Sequence, residues 1–513
     1  MGAIPLAQGL KAEQCLSIQH FTRSIREPGS GRSSRRAGTK ITLADVPDDE
    51  FEKIARLEVD YLWMLGVWQT GPAGRMASRT RPEWRAEYLR TLPDLTEDDI
   101  VGSPFAIQSY TVHADFGGPA ALAAFRRKLA ERGMKLFLDF VPNHMALDHP
   151  WVISKPEFFV RGCPGDVEKD AQNFVRLNTC QGPTILAHGR DPYFPGWPDT
   201  VQLDYRSRRL RTAMADELFK ISQICDGVRC DMAMLIIPEV FNRTWQSAMT
   251  SSEGTREMSE PFWPGAIERV KRSRPDFLFM AEAYWDLEFT LQQQGFDYTY
   301  DKRFYDRLTL QSAGEVRGHL WADANYQHRS VRFLENHDEP RAAAVFSKSV
   351  HPAAATIAFL VPGLRFFHDG QLEGRTVKLP VHLGRRPHEP IDSELADFYQ
   401  LLFRVLKRPE ARDGQWRLLR CEPAWEGNST FEHFLAFSWD LGDSRLLVTV
   451  NFGPTQGQCY VDLAFGNLAG RQWRLADLTG DARYDRDGTE LMTRGLFLDM
   501  PAWGHHVFEV TAL

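Results

Sequence analysis

Seven cysteines in 513 residues is an odd number, and no two of them form a CxxC pair. Cys15, Cys163, Cys180, Cys225, Cys230, Cys421 and Cys459 therefore argue against a metal cluster or a disulfide scaffold and read as mostly buried thiols. Positive charge is also short. The formal net charge is −7, which speaks against a broad electrostatic grip on nucleic acid. No apolar run is long enough for a bilayer: the longest, AAATIAFLVPGLRFF, is broken by Pro362, Gly363 and Arg365. The opening MGAIPLAQGLKAEQ lacks a basic stretch leading into an apolar core, so no secretory signal is expected and the chain reads as cytoplasmic. Neither GxGxxG nor GxxxxGK[ST] stands at a strand–helix turn, which argues against the common nucleotide-binding loops. No internal repeat is visible.

What is present is ordinary for a soluble globular chain with more than one domain: 43% hydrophobic and 25% charged residues. The supply of flat apolar faces is generous, with 14 Trp and 33 Phe. Most belong to a core, and some can stack on sugar rings. Residues 21–40 (FTRSIREPGSGRSSRRAGTK) read as a solvated, partly disordered arm or as an organellar targeting segment.

Short, nearly continuous apolar runs alternate with helix-like charged segments: YLWMLGVW (61–68), KLFLDFVPNH (135–144), GVRCDMAM (227–234), FLFMAEAYW (277–285), SVRFLENHD (330–338) and GLRFFHDGQ (363–371), with FDYTYDKRF (296–304) weaker. Runs of this kind suit strands covered on both faces, and alternation with helices implies a parallel sheet. Their polar residues gather at the C-terminal ends: Asp139, Asn143 and His144, then Arg229 and Asp231, then Glu282, then Asn336, His337 and Asp338. In a (β/α)8 barrel that end is the rim where active sites are built. The stretch from Met145 to Tyr205 is rich in Pro, Gly and aromatics and too long for a βα loop, so it reads as an inserted subdomain. Beyond about residue 410, short segments such as FLAFSW, RLLVTVNF, GQCYVDLAF, GLFLDM and GHHVFEV imply an antiparallel β domain.

Two carboxyls flanking a glycosidic bond can cleave it when one stays ionised and the other stays protonated. Arg229 beside Asp231 would hold that carboxylate ionised. Apolar walls from Ala281, Ala283, Tyr284 and Trp285 would keep Glu282 protonated. His144 and His337 can donate hydrogen bonds to sugar hydroxyls.

In order and spacing these residues resemble the four short motifs of the amylase family of glycoside hydrolases. DFVPNH (139–144) resembles the first, GVRCDMAML (227–235) the second, AEAYW (281–285) the third and FLENHD (333–338) the fourth. PDTVQLDY (198–205) is similar to an accessory motif that closes the inserted domain. The resemblance spans roughly residues 40–510. It implies an α/β fold: a (β/α)8 TIM barrel (41–144 and 206–409), with a subdomain after the third strand (145–205), a C-terminal antiparallel β-sandwich (410–513) and an atypical N-terminal arm (1–40). It implies a retaining double displacement on α-glucans or related α-glucosides. Asp231 would be nucleophile, Glu282 acid/base and Asp338 stabiliser of the distorted sugar. Asp139, His144, Arg229 and His337 would complete the substrate site, with Phe105 in the place of the family's stacking tyrosine. No cofactor is required. A structural calcium is the one ion the resemblance allows, with Asn143 as its ligand; Asn143 also reads as a hydrogen-bonded brace of the rim. Nucleic-acid and membrane partners are not expected, and the oligomeric state is not legible.

The chain also departs from the pattern. Met234 and Leu235 replace the Lys-His that follows the second motif in typical α-amylases, which leaves room for other α-glucosides or for transfer to a sugar or phosphate, as in sucrose phosphorylase-like enzymes. The third reading, a non-catalytic amylase-like binding protein, is disfavoured by the complete carboxylate set. A clean first strand is missing: CLSIQHF (15–21) is the one candidate, and an unfilled place would expose two strand edges.

Overall fold

The computed structural model describes residues 13–19, 42–246, 248 and 257–513. Eight strands close into a parallel barrel: β1 (Gln14–Gln19), β2 (Tyr61–Leu65), β3 (Lys135–Phe140), β4 (Gly227–Cys230), β5 (Leu278–Ala281), β6 (Tyr298–Tyr300), β7 (Ser330–Arg332) and β8 (Leu364–His368), each hydrogen-bonded to the next, with β8 closing onto β1. Short strands suffice because every one is covered on both sides. β2 and β4 are buried at every position.

The chain closes the barrel with the one N-terminal segment that had strand character. QCLSIQ forms β1, and Arg365 N–H donates to Glu13 O at 2.9 Å where β1 begins. The first strand thus lies inside the segment read as an arm. The rest of that segment, including the Arg/Ser/Gly-rich stretch, is outside the described residues.

The helices between strands follow from local sequence. Ser207 caps Arg208–Ser222 by accepting from Leu210 N–H at 3.3 Å. Leu210, Met214, Leu218 and Ile221 then recur every three or four residues and bury one face. Gly118–Ala130 starts on Gly-Pro, buries Leu122, Phe125 and Leu129, and is followed by Gly133 at φ +76°. Between β3 and the helix at Arg208, His144–Ala146 pairs antiparallel with Thr200–Gln202, and Phe174–Thr179 pairs with Gly182–Ala187. This is the inserted segment.

By contacts the described residues divide into two compact units: those within 16–300 with Lys378–His388, and those within 13–15 with Asp301–Val377 and Glu389–Leu513. The second unit carries the C-terminal β-sandwich. A six-stranded antiparallel sheet orders Gln415–Leu418, Phe434–Leu441, Ser444–Asn451, His505–Ala512, Gln472–Asp477 and Arg483–Asp487. A three-stranded sheet of Cys421–Pro423, Gly457–Val461 and Leu496–Met500 packs against it. Phe434, Leu447, Leu475 and Phe508 meet Cys459, Val461, Leu498 and Met500 in a shared apolar core.

Candidate active site

Strand register assembles the first cluster. β3 and β4 pair Asp139 with Arg229, and β4 and β5 pair Cys230 with Ala281. The ladder then runs one residue past each strand: Asp231 N–H donates to Phe140 O (2.9 Å) and Glu282 N–H to Cys230 O (3.0 Å). Asp231 and Glu282 therefore leave adjacent strands at the same level of the rim.

Arg229 is completely buried between them. Its Nη1 lies 2.6 Å from Asp231 Oδ1 and 3.7 Å from Asp139 Oδ1, and its Nη2 lies 2.7 Å from Glu282 Oε2. The rings of Trp63 and Phe105 stand 5.3 Å from its Cζ, and that of Tyr300 5.9 Å. Burial opposes the guanidinium charge, yet Glu282, Asp231, Tyr300 and Asp139 together hold its pKa well above the ordinary value. Asp139 has the opposite balance. Burial pushes it up to about 7, against the pull of Arg229 and of Gly66 N–H, which donates to its Oδ2 at 2.9 Å. That approach requires Gly66: its φ is +74°, and a Cβ there would lie 2.4 Å from Pro104 Cβ.

Glu282 is not walled by apolar groups as its sequence neighbours suggested. Its Oε2 accepts from Met232 N–H at 2.6 Å, its Oε1 accepts from Tyr284 Oη–H at 3.0 Å, and Arg229 reaches Oε2 as well. Flanking residues along an extended chain point to opposite faces, so Ala281 and Ala283 do not enclose it; residues from across the rim do. The turn that supplies the Met232 N–H is itself unusual. Met232 follows Asp231 in the left-handed region (φ 42°, ψ 45°), and Trp285 and Asp286, just beyond Glu282, sit at φ 63° and 62°. Non-glycine residues seldom adopt such angles, and they concentrate at functional sites.

His144 is buried, 5.0 Å from the ring of Trp197. Burial lowers its pKa, countered in part by Asp231 and by the Phe105 carbonyl, so it is a neutral donor near neutral pH. Phe105 is partly exposed with its ring on Arg229.

Calcium does not fit beside Asn143. A cation needs oxygens turned toward one open point. Here the oxygens converge on an amide instead: Gln202 Nε2 donates to Asn143 O (2.9 Å), Asn143 Oδ1 (3.0 Å) and Leu203 O (3.1 Å). Among the described residues no group of three or more His, Cys, Asp and Glu side chains could hold a metal ion.

The loop after β7, in the second compact unit, is built by its own polar residues. Asn336 Oδ1 accepts from the N–H groups of Asp338 and Glu339, both at 2.9 Å. His337 is buried with Nε2 3.1 Å from Asp338 Oδ2, and the Asp338 side chain stays 43% exposed. Glu335 anchors the loop from beneath, with Arg341 at 3.0 Å and Ala342 N–H at 2.6 Å; burial raises it to about 7.

Of the rim aromatics, Trp151 packs on His149 and Phe158, Trp197 faces His144, Tyr284 bonds Glu282, and Tyr193 meets Trp285 edge-on at 5.1 Å. Sequence reasoning missed Trp63, Tyr300 and Gln202. Their contacts depend on which strands adjoin, and no local signal carries that.

Known proteins point the same way. The family model for the alpha amylase catalytic domain matches residues 103–381, more than half of the chain. Alpha-amylase MalA of Haloarcula japonica is 22% identical over 428 residues, which is 79% of this chain and 58% of that protein. Alpha-amylase 3 of Dictyoglomus thermophilum is 21% identical over 301 residues, 55% of this chain and 56% of that one. The chain thus spans little more than half the length of these relatives. Among solved structures, the maltogenic alpha-amylase AmyB from Thermotoga neapolitana superposes with a TM-score of 0.67 at 19% identity, covering 98% of this chain and 99% of its own. An alpha-amylase from Lactobacillus plantarum gives 0.62 at 21% identity, covering 97% and 98%. At such identities the structural likeness concerns the fold.

Proposed function

As the chain belongs to the alpha-amylase catalytic-domain family, we propose that it is a retaining glycosidase acting on α-1,4-glucans, maltooligosaccharides or related α-glucosides. The observation that carries this reading is the single guanidinium of Arg229 shared by Asp231 and Glu282. Two carboxyls on one fork are a close-set pair, as retention requires: about 5–5.5 Å between them, against about 6.5–9.5 Å when a water must fit for inversion.

Asp231, oriented by Arg229, attacks the anomeric carbon while Glu282 protonates the departing oxygen. The glycosyl–Asp231 ester is then cleaved by water that Glu282 deprotonates. The proton is a property of the cluster. Asp139, Asp231 and Glu282 crowd one guanidinium, three carboxyls to one cation. Asp139, pushed up to about 7, keeps a proton in the site near neutral pH. Asp338, presented by the Asn336 turn, grips ring hydroxyls of the reacting sugar. His144 and His337 donate to others, and Phe105 offers a partly exposed ring for stacking.

The test is to trap the intermediate with an activated fluoroglucoside and map the labelled peptide by mass spectrometry. Label on Asp231 is expected. Turnover of substrate with label on another residue would overturn the assignment, and oligosaccharides longer than the substrate would mark transfer in place of hydrolysis.

A further inference from the structure

A cavity of about 570 Å³ is lined by Arg190, Pro192, Tyr193, Arg243, Thr244 and Gln246. Its place ties it to the rim. Tyr193 meets Trp285, three residues beyond Glu282, with ring centroids 5.1 Å apart. Arg243 and Thr244 lie on the helix Pro238–Trp245, which follows the short turn Ala233–Ile236 just beyond Asp231.

Its chemistry is cationic and aromatic, with no carboxylate in the lining. Arg190 lies over Trp245 at 4.9 Å and Arg243 over Tyr193 at 5.9 Å. Rings hold these guanidiniums in place of counter-ions: among the described residues neither arginine makes an ion pair. Arg190 Nη2 donates to Thr244 O at 3.1 Å, while its buried Nε has no acceptor among the described residues. Asp191 and Asp170 lie near Arg190 without forming an ion pair with it, and one oxygen of each serves other donors. Asp191 Oδ1 takes the N–H groups of Tyr193 (2.6 Å) and Phe194 (3.0 Å), and Asp170 Oδ2 takes Asn173 Nδ2 (2.8 Å). Burial lowers the Arg190 pKa, although Asp170 and Asp191 oppose that fall. A bound oxyanion would relieve the desolvated charge.

We propose that this cavity is a substrate subsite for an acidic sugar, a unit beyond the scissile bond that carries a phosphate ester or a carboxylate. The sugar face would lie against Tyr193, which is 60% exposed, and the oxyanion would take the two guanidiniums. The inference rests on the glycosidase reading above and narrows its substrate class. Typical family members place Lys-His after the second motif; here Met234 and Leu235 stand there, are buried, and offer no charged group to a sugar beyond the bond.

The test compares kcat/KM for maltose with that for maltose carrying a phosphate, or a carboxylate, on its reducing sugar. It is paired with thermal shifts produced by glucose, by glucose phosphorylated at its primary hydroxyl, and by inorganic phosphate. Charge-assisted bonds from two arginines should favour an acidic substrate by about tenfold or more. In Arg243→Met the ratio should fall toward one, and the phosphorylated glucose should lose its extra thermal shift. Arg243 is exposed, so this variant does not threaten the fold; Arg190→Met, which unpacks Trp245, is the second. A ratio near one in the wild type, or a ratio that survives both substitutions, overturns the proposal. So does inorganic phosphate matching the sugar phosphate in thermal shift. If no glucoside is turned over but the phosphorylated glucose still binds through Arg243, the glycosidase reading fails and the acidic-sugar subsite stands.

Discussion

Of the three arginines completely buried on barrel strands, Arg229, Arg332 and Arg365, the first two are compensated in opposite ways. Arg332, on β7, meets one carboxylate. Its Nη1 bonds Asp301, its Nη2 bonds Gln327 Oε1, and its Nε donates to Pro362 O at 2.9 Å. Asp301 has His319 Nε2 at 2.8 Å as well. Burial acts against the ionised Asp301, but Arg332 and His319 outweigh it and hold its pKa below the usual value. Charge balances one to one and each guanidinium nitrogen has an acceptor. Arg229, on β4, meets three carboxyls and three aromatic rings, and one of those carboxyls is pushed up to about 7. A balanced pair does structural work. An overloaded one retains a proton close to neutral pH, and that is what acid–base chemistry needs.

The largest effect should come from Asp231→Asn. If Asp231 is the nucleophile, maltooligosaccharide turnover should fall by about 10⁴-fold or more. The melting temperature should hold or rise, because one of three crowded carboxyls is gone. Next, methionine at each arginine should separate the two clusters. Arg332→Met leaves Asp301 buried without its cation and should cost about 3–5 kcal/mol of stability in denaturant unfolding. Arg229→Met should cost activity first, about 10²–10³-fold in kcat/KM, since its carboxyls can protonate. Equal stability losses and intact activity in both would erase the distinction.

A smaller effect follows from the Asp139 proton. Folding raises this carboxyl from 3.8 to about 7. Its contribution to stability is therefore complete below about 4 and is lost as pH rises to about 7. The melting temperature of Asp139→Asn, minus that of the wild type, should climb across that window and then level off. A flat difference would mean that Asp139 ionises normally. The smallest effect concerns the oxygens around Gln202. A chelator should leave the wild-type melting temperature unchanged. Gln202→Glu should melt a few degrees lower, because a carboxylate then faces three oxygens, and millimolar calcium should restore part of the loss. A wild type that melts earlier in chelator would contradict the amide's role.

Much of the barrel was legible because its strands are short apolar runs with polar C-terminal ends. YLWML, KLFLDF, GVRC, LFMA, YTY, SVR and LRFFH are the observed barrel strands inside the quoted runs. β1 was harder, since QCLSIQ alternates polar and apolar residues yet is buried from Gln14 to Ser17. The strands Gln472–Asp477 and Arg483–Asp487 escaped notice because polar and charged residues break up their apolar positions. At the site, the pairing of Arg229 with Asp231 could be read two residues apart in one strand. The donors on Glu282 could not. Met232 N–H is a backbone group freed by a left-handed turn, and Tyr284 reads in sequence as part of an apolar wall, yet its hydroxyl bonds the carboxyl. Side-chain identity is local, whereas the charge balance around a buried group depends on strands far apart in sequence.

The most direct measurement is proton NMR of the sugar released in the first minutes from maltooligosaccharides. Two displacements at one carbon, with Asp231 and Glu282 close-set on Arg229, should give the α-anomer first, followed by slow mutarotation. The β-anomer appearing first would mean a single inverting displacement and would contradict the account.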